Sequence, residues 1–363
     1  MMDSSAVNPE DVNRGRAMYA LIALLLAYIL SFIDRNVMAV LIGPIRADFA
    51  ISDFQYSLLH GFAFSMFYIF LGLPIARLAD RGSRKWVITI GVLFWSLMTC
   101  LCGITRSFST LFVARAGVGI GEAALSPPAY SLLSDYFSEG NLPKAMAVYT
   151  LGITIGGGLA YIIGGGVYEY FTEYGALSLP FVGELRPWQS TFFIVGLPGF
   201  LLVLMLSLIA EPPRRGDLPE ESGDYSVSEV KTHLRLHWQA YGSLIMGVSL
   251  LAVLGYGTMA WYPEFLVRSH GMDRAEAGSQ FGLIFIVAGS VGALLGGFSA
   301  KPLRERGFED ASMRLIVWIA LLWLLPAALG PLSSNSSLAL WAAVPIVFFL
   351  NSYFALAISA LQN

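Results

Sequence analysis

An all-α bundle of transmembrane helices is the fold this sequence predicts, and three observations predict it. Of its 363 residues, 56% are hydrophobic and 13% are charged, where a water-soluble globular chain carries about 25% charge. The apolar residues gather into stretches of about twenty, the length that crosses a bilayer as a helix. The 37 glycines and 17 prolines fit the same picture, because neighbouring helices can re-satisfy a backbone that such residues interrupt.

Ten spans are read, at 17–43, 56–78, 85–105, 109–135, 143–168, 189–210, 240–266, 275–300, 314–332 and 337–363. The first is not a cleaved signal peptide. It is longer than a signal core, lacks a clear cleavage site and is followed by nine more spans. Residues 1–13 form an acidic polar head, expected to be disordered. Residues 14–210 then make an N-terminal six-helix bundle, 211–239 a linker, and 240–363 a C-terminal bundle of four spans. The linker opens Glu211-Pro212-Pro213-Arg214-Arg215-Gly216. From Ser226 to Trp238, Val227, Val230, Leu234 and Trp238 recur at three-to-four spacing, with Glu229, Lys231 and Arg235 between them. That pattern suits a short amphipathic helix lying on the membrane, and a plain polar linker suits it nearly as well. The tenth span ends at Asn363 without a polar tail, and six plus four lacks the symmetry of many transporters. Two further spans are therefore expected in the full protein, the alternative being a ten-span chain.

Basic residues set the expected orientation. With the N-terminus in the cytoplasm, fifteen of the 22 Lys and Arg fall on the inner side and five on the outer, with Arg35 and Arg115 inside spans.

Those two arginines belong to the most informative group. A charge in the bilayer core costs a few kcal/mol on insertion scales, so something must offset it. The first span carries Asp34-Arg35-Asn36 and the fourth carries Arg115 and Glu122. At 1.5 Å rise per residue, Asp34 lies about 25 Å from the inner end of its span, Glu122 about 20 Å and Arg115 about 30 Å from theirs. Arg115 and Glu122 are seven apart and share a helix face. The two spans are expected to face each other across a polar cavity. Asp34 would pair with Arg115, and Arg35 with Glu122 or with a substrate's anion. A carboxylate there can exchange a proton as the cavity opens to each side, since desolvation and a neighbouring arginine move its pKa in opposite directions. The alternative is a static ion pair that holds two helices together.

Candidates to line the cavity are His60, Tyr68, Ser126, Tyr130, Phe281 and Phe285, with plain apolar packing as the competing reading. Glu264 follows Trp261-Tyr262-Pro263 near an outer end, where a rim position is expected. Gly152 and Gly156 in the fifth span are spaced for close helix contact, and Pro127 and Pro128 should bend the fourth span inward of Glu122.

Several function classes are excluded. Net charge is −3, with no basic surface for nucleic acid. Cys100 and Cys102 share one apolar span and read as buried thiols. There is no nucleophile paired with a base, no zinc run and no phosphate loop, so neither enzyme nor cofactor is expected. Gly117-Val118-Gly119-Ile120-Gly121 sits inside a span without the strand and helix a dinucleotide site needs.

The loop after the second span reads Ala76-Arg77-Leu78-Ala79-Asp80-Arg81-Gly82-Ser83-Arg84-Lys85. It resembles the cytoplasmic signature of the major facilitator superfamily, matched at Asp80, Arg81, Arg84 and Lys85, with Ala76 and Ser83 where glycine is usual. A second copy after the eighth span, Gly297-Phe298-Ser299-Ala300-Lys301-Pro302, has lost its acid. More narrowly the chain resembles the spinster branch, through Asp34-Arg35, the run Arg115 to Glu122, and Ser126-Pro127-Pro128-Ala129-Tyr130-Ser131 with Asp135. The resemblance implies two helical bundles rocking about a central cavity, and a gate built on Asp80, Arg81, Arg84, Lys85 and Asp135. It implies a monomeric carrier in a bacterial inner membrane. The substrates of animal relatives are lysophospholipids and sphingoid phosphates, which implies an amphipathic or lipid-like partner, the alternative being a small polar metabolite or a drug-like compound on the same fold; protons are the coupling ion expected from the buried carboxylates.

Overall fold

The computed structural model describes residues 14–214, 231–232, 235–308 and 310–361. Among the described residues, ten helices are long and apolar enough to cross a membrane: span 1 Arg14–Val40, span 2 Asp53–Arg81, span 3 Arg84–Cys102, span 4 Phe108–Tyr136, span 5 Leu142–Tyr174, span 6 Pro187–Ser207, span 7 Tyr241–His270, span 8 Arg274–Glu305, span 9 Ala311–Leu332 and span 10 Ser336–Phe354. Below, "inner" means the end at which span 1 begins. The expected head, 1–13, and Val227, Glu229, Val230 and Leu234 of the linker lie outside the described residues; Lys231, Arg235 and Trp238 are described and exposed.

Local chemistry explains where the spans start and break. Ser52 caps span 2 by accepting from the Gln55 amide, and the Gln55 side chain returns the bond. Ser83 and Ser107 cap spans 3 and 4 through their hydroxyls. Each cap satisfies an amide that the helix itself cannot. Span 1 tightens after Asn36 into a 3-10 turn, Val37–Val40, and span 2 widens into a π turn at Leu58–Phe62. Span 4 is two helices, Phe108–Glu122 and Ser126–Tyr136. Pro127 and Pro128 fall in the first turn of the second helix, where a missing amide is harmless. The break therefore comes immediately after Glu122.

Span 5 joins the two halves. One face packs on span 1, where a side chain at Gly156 would sit 2.4 Å from the Ile29 carbonyl. The opposite face packs on span 8, where a Cβ at Gly158 would meet the Gly282 carbonyl at 2.5 Å and one at Gly282 would meet the Gly158 carbonyl at 2.5 Å. In lipid no hydrophobic force draws helices together, so such backbone contact supplies the attraction. Large side chains such as Phe70, Leu73, Trp318 and Trp341 stay exposed on the outside of the bundle, as a bilayer-facing surface allows.

Among the described residues, the polar bonds between halves run from mid-membrane outward. Thr154 meets Ser290 at 2.8 Å, the Tyr161 hydroxyl donates to the Met259 carbonyl at 2.9 Å, and Arg274 donates to the Val40 carbonyl at 3.3 Å. Thr154 lies about 18 Å up span 5 from its inner end.

Candidate functional site

Spans 1 and 4 bring their charges together. Arg35 donates from Nε to Glu122 Oε2 at 2.5 Å. Asp34, Arg115 and Glu122 are 0%, 1% and 0% exposed, while the Arg35 side chain keeps 21%. Arg35 is thus the member of the cluster that open space reaches. Its guanidinium lies over Phe32, Phe64 and Tyr68 at 4.9, 4.9 and 5.0 Å from the ring centres, and each face attracts a cation through its quadrupole.

The other expected pair forms differently. Arg115 donates from Nη1 to the backbone carbonyl of Asp34 at 3.0 Å, not to its carboxylate. Asp34 lies in the last turn of the helix Arg14–Asn36, where carbonyls lack intrahelical amide partners, and the guanidinium satisfies one of them. The Asp34 carboxylate turns toward Thr99 and Trp95 of span 3, within the field of Arg115 and Glu122. Asn36 donates to the Phe32 carbonyl at 2.8 Å and holds its own helix.

An aromatic wall continues inward from Arg35. Tyr28 stacks on Tyr149 at 4.4 Å, and Tyr130 meets Tyr149 edge-on at 5.5 Å. Tyr68 stacks on Phe64; nearer the outer end, His60 in the π turn of span 2 stacks on Tyr56 of the turn before it at 6.3 Å. Ser126, half-buried, opens the inner segment of span 4. Phe281 and Phe285 have a different place. Both are buried against Tyr161, at 5.0 and 5.9 Å. They fill the seam between spans 5 and 8 instead of lining open space, because Gly157 leaves room for the Phe285 ring.

The outer end holds a charge network that sequence reasoning missed. Arg268 of span 7 grips Asp53 of span 2 with two bonds, 3.0 and 3.1 Å, and Arg46 reaches the same carboxylate at 3.0 Å. Arg268 also donates to Glu264 at 2.7 Å, and Arg274 donates to Glu264 at 2.6 Å. Glu264, expected at the rim, is 2% exposed. Two guanidinium groups, one of them from the next span, make that burial tolerable.

The inner signature is organised around Arg84. Buried itself, it donates to the Asp135 carboxylate and the Ser131 hydroxyl of span 4, and to Glu211 at 3.0 Å. Glu211 also accepts from the Ser83 hydroxyl and from the Arg84 and Lys85 amides. Burial raises its pKa, but these donors outweigh burial and hold it below the usual carboxylate range. Lys85 donates from Nζ to the Ser207 carbonyl at 3.3 Å. Arg214 caps the end of span 2 through the Ala79, Asp80 and Gly82 carbonyls. The Asp80 side chain and Arg81 are exposed.

With this geometry in view, similarity to known proteins decides the family. The model of the Major Facilitator Superfamily matches residues 24–363. The chain belongs to the major facilitator superfamily. Within it, a crystal structure of a bacterial homologue of the human lysosomal transporter spinster, inward-facing and unoccupied, superposes with a TM-score of 0.78. It is 31% identical and covers 96% of this chain and 75% of its own. An MFS-type efflux pump of Mycolicibacterium smegmatis is 29% identical over 86% of this chain and 68% of that protein. Protein spinster of Drosophila melanogaster is 27% identical over 83% of this chain. The chain spans 49% of that fly protein's length.

This is therefore a superfamily member of spinster type. The site residues overlooked in the sequence are Tyr28 and Tyr149 in the wall, Thr99 and Trp95 beside Asp34, and Asp53 with Arg268 at the outer end. Tyr28, Phe32 and Arg35 at i, i+4 and i+7 carried a readable signal, since they share one face. The Asp53–Arg268 pair carried none, because 215 positions separate its members.

Proposed function

We propose that this protein is a secondary active transporter that moves an amphipathic, lipid-like solute of the lysophospholipid or sphingoid class by alternating access, coupled to protons. The observation that carries the reading is the Arg35–Glu122 pair: one partly open cation, framed by aromatic faces, bonded to one sealed carboxylate. An anionic head group entering from the inner side competes with Glu122 for Arg35. Glu122, left buried without its cation, then takes up a proton, because an unpaired carboxylate at that depth is costly. Substrate anion and proton load together. Asp34 is the second proton site, screened by Arg115. Tyr28, Tyr130 and Tyr149 offer the apolar surface along which a tail lies. Closure of the inner ends and release of the Asp53–Arg268 contact complete the cycle.

A second reading, export of a drug-like compound on the same fold, is favoured by the similarity to the mycobacterial efflux pump. Here the aromatic wall is the binding surface and Arg35 only orients the ligand.

The test is uptake of labelled lysophospholipid into proteoliposomes with and without a pH gradient, for wild type, Asp34→Asn and Glu122→Gln. Gradient-driven uptake that either variant abolishes supports the proposal. Uptake indifferent to the gradient removes proton coupling. No lipid uptake by folded, inserted protein removes the lipid reading and directs attention to drug export.

A further inference from the structure

A cavity of about 550 Å³ lies far from the charge cluster, among the inner ends of spans 1, 4 and 5. Its polar lining is Arg14, Lys144, Ser138 and Asn141. Arg14 opens the helix of span 1, and Lys144 stands in the first turn of span 5. Both are exposed, and among the described residues neither forms an ion pair. Among the described residues, no acidic one lines the cavity. The nearby Asp135 is turned away into its pair with Arg84, and the Tyr136 hydroxyl is bonded to the Ala210 carbonyl.

The remaining lining changes character with depth. Leu21 of span 1 stands about 10 Å deeper than Arg14 along the helix. With Met18 and with Val148 of span 5 it makes an apolar wall, and Met18 and Val148 are open at 44% and 39%. Two cations and two hydrogen-bonding side chains at the membrane boundary, above an apolar wall running toward the bilayer centre, reproduce the profile of a phospholipid. A soluble anion would use the cations and leave the wall empty.

We propose that this cavity is a binding site for a phospholipid with a net negative head group. Arg14 and Lys144 hold the phosphate, Asn141 and Ser138 hydrogen-bond the head group, and the first part of an acyl chain lies on Met18, Leu21 and Val148. A basic pocket between helices at a membrane face is suited to anionic lipid, each Lys or Arg contributing about 1 kcal/mol there. Two cations give a preference over zwitterionic lipid of about 30-fold. A lipid bound in this way ties the inner end of span 5 to span 1. Span 5 also forms the seam with span 8, so the lipid bears on the element that links the halves.

The test uses the full chain in mild detergent, mass spectrometry of the intact complex, and an equimolar mixture of phosphatidylglycerol and phosphatidylcholine. Wild type is expected to retain phosphatidylglycerol, and Arg14→Gln with Lys144→Gln to lose the preference by at least tenfold. Arg77→Gln with Arg306→Gln, two exposed cations elsewhere at the inner end, should leave it unchanged. Val148→Trp, which narrows the wall without touching charge, should weaken retention of the diacyl lipid, and inorganic phosphate at 10 mM should not displace it. All of these variants should melt within a few degrees of wild type. Equal retention of the two lipids, or equal loss in the control pair, overturns the proposal. Displacement by inorganic phosphate with no effect of Val148→Trp also overturns it, and makes the cavity a site for soluble anions.

Discussion

The two ends of this molecule carry similar residues and use them in opposite ways. At the outer end, Arg268 and Arg274 of the second half hold Asp53 and the Val40 carbonyl of the first. At the inner end, the bonds that Arg84 makes to Asp135 and Glu211, and those of Arg214 to the end of span 2, lie within the first half and the linker's opening residues. The outer charges join two bodies, while the inner ones brace a single body. The difference follows from exposure. Asp53 is 48% exposed and Arg268 36%, and a wet pair of that kind is worth about 1 kcal/mol or less. Such a bond can be broken once per cycle. Arg84 at 2% and Asp135 at 7% are sealed, and removing one partner of a sealed pair costs roughly 3–5 kcal/mol. A contact of that strength suits a part that keeps its shape while it moves.

The largest effect should come from breaking the brace. Arg84→Ala leaves Asp135 buried without its cation and takes a counter-charge from Glu211. A stability loss of about 3–5 kcal/mol is expected, measured by chemical or thermal unfolding in detergent. An unchanged midpoint would show that the inner network is not a brace.

Next is the seam that both ends share. Gly158→Leu drives a side chain into the Gly282 carbonyl and the Ile286 side chain. The cost of overpacking, about 1–3 kcal/mol, should fall on the state in which spans 5 and 8 touch. Distances between spin labels at the outer ends should lengthen, while labels within the first half stay in place. Equal lengthening inside the first half would mean local unfolding instead.

Cutting the latch should do less. Asp53→Ala releases Arg268 from the first half and leaves Glu264 with both of its guanidinium groups, and a shift of about 1 kcal/mol toward outer opening, near fivefold in population, should appear in the same distances. The melting point should hardly move. If Asp53→Ala destabilises as much as Arg84→Ala, the contrast between the ends fails.

The smallest effect concerns acid. Glu211 has its pKa lowered in the folded protein, so its stabilising contribution is complete above the ordinary glutamate value, about 4.3, and is lost as pH falls through the lower folded value. Protection of the Arg84 and Lys85 amides against hydrogen exchange, relative to the intrinsic rate at each pH, should fall below about pH 4.3, since both donate to Glu211. In Glu211→Gln that extra acid response should be missing.

Much of this was readable beforehand because it is local or periodic. The ten spans follow from runs of apolar residues, and the pairing of Arg35 with Glu122 follows from depth along two helices of opposite direction. Asp34 and Arg115 were brought together by the same reasoning, but the bonding atom was not readable. That choice depended on helix Arg14–Asn36 ending two residues after Asp34 and leaving carbonyls free. Glu264 was misplaced at the rim because its burial needs Arg274 from the following span and Arg268 turned toward Asp53. Phe281 and Phe285 carried no sign of which neighbour they would face.

Sequence alone determined that the chain lives in a bilayer, which residues pay for being charged there, and to which superfamily its inner signature ties it. Each of these rests on transfer free energy or on spacing within a single helix, and both are properties of one segment at a time. Tertiary structure alone decided that Arg115 meets the Asp34 carbonyl and that Arg268 and Arg274 meet Glu264, which phenylalanines close the seam and which end of the molecule is joined. Those outcomes depend on side chains that approach from other spans, and lipid exerts no preference among apolar faces until close packing and hydrogen bonds select one.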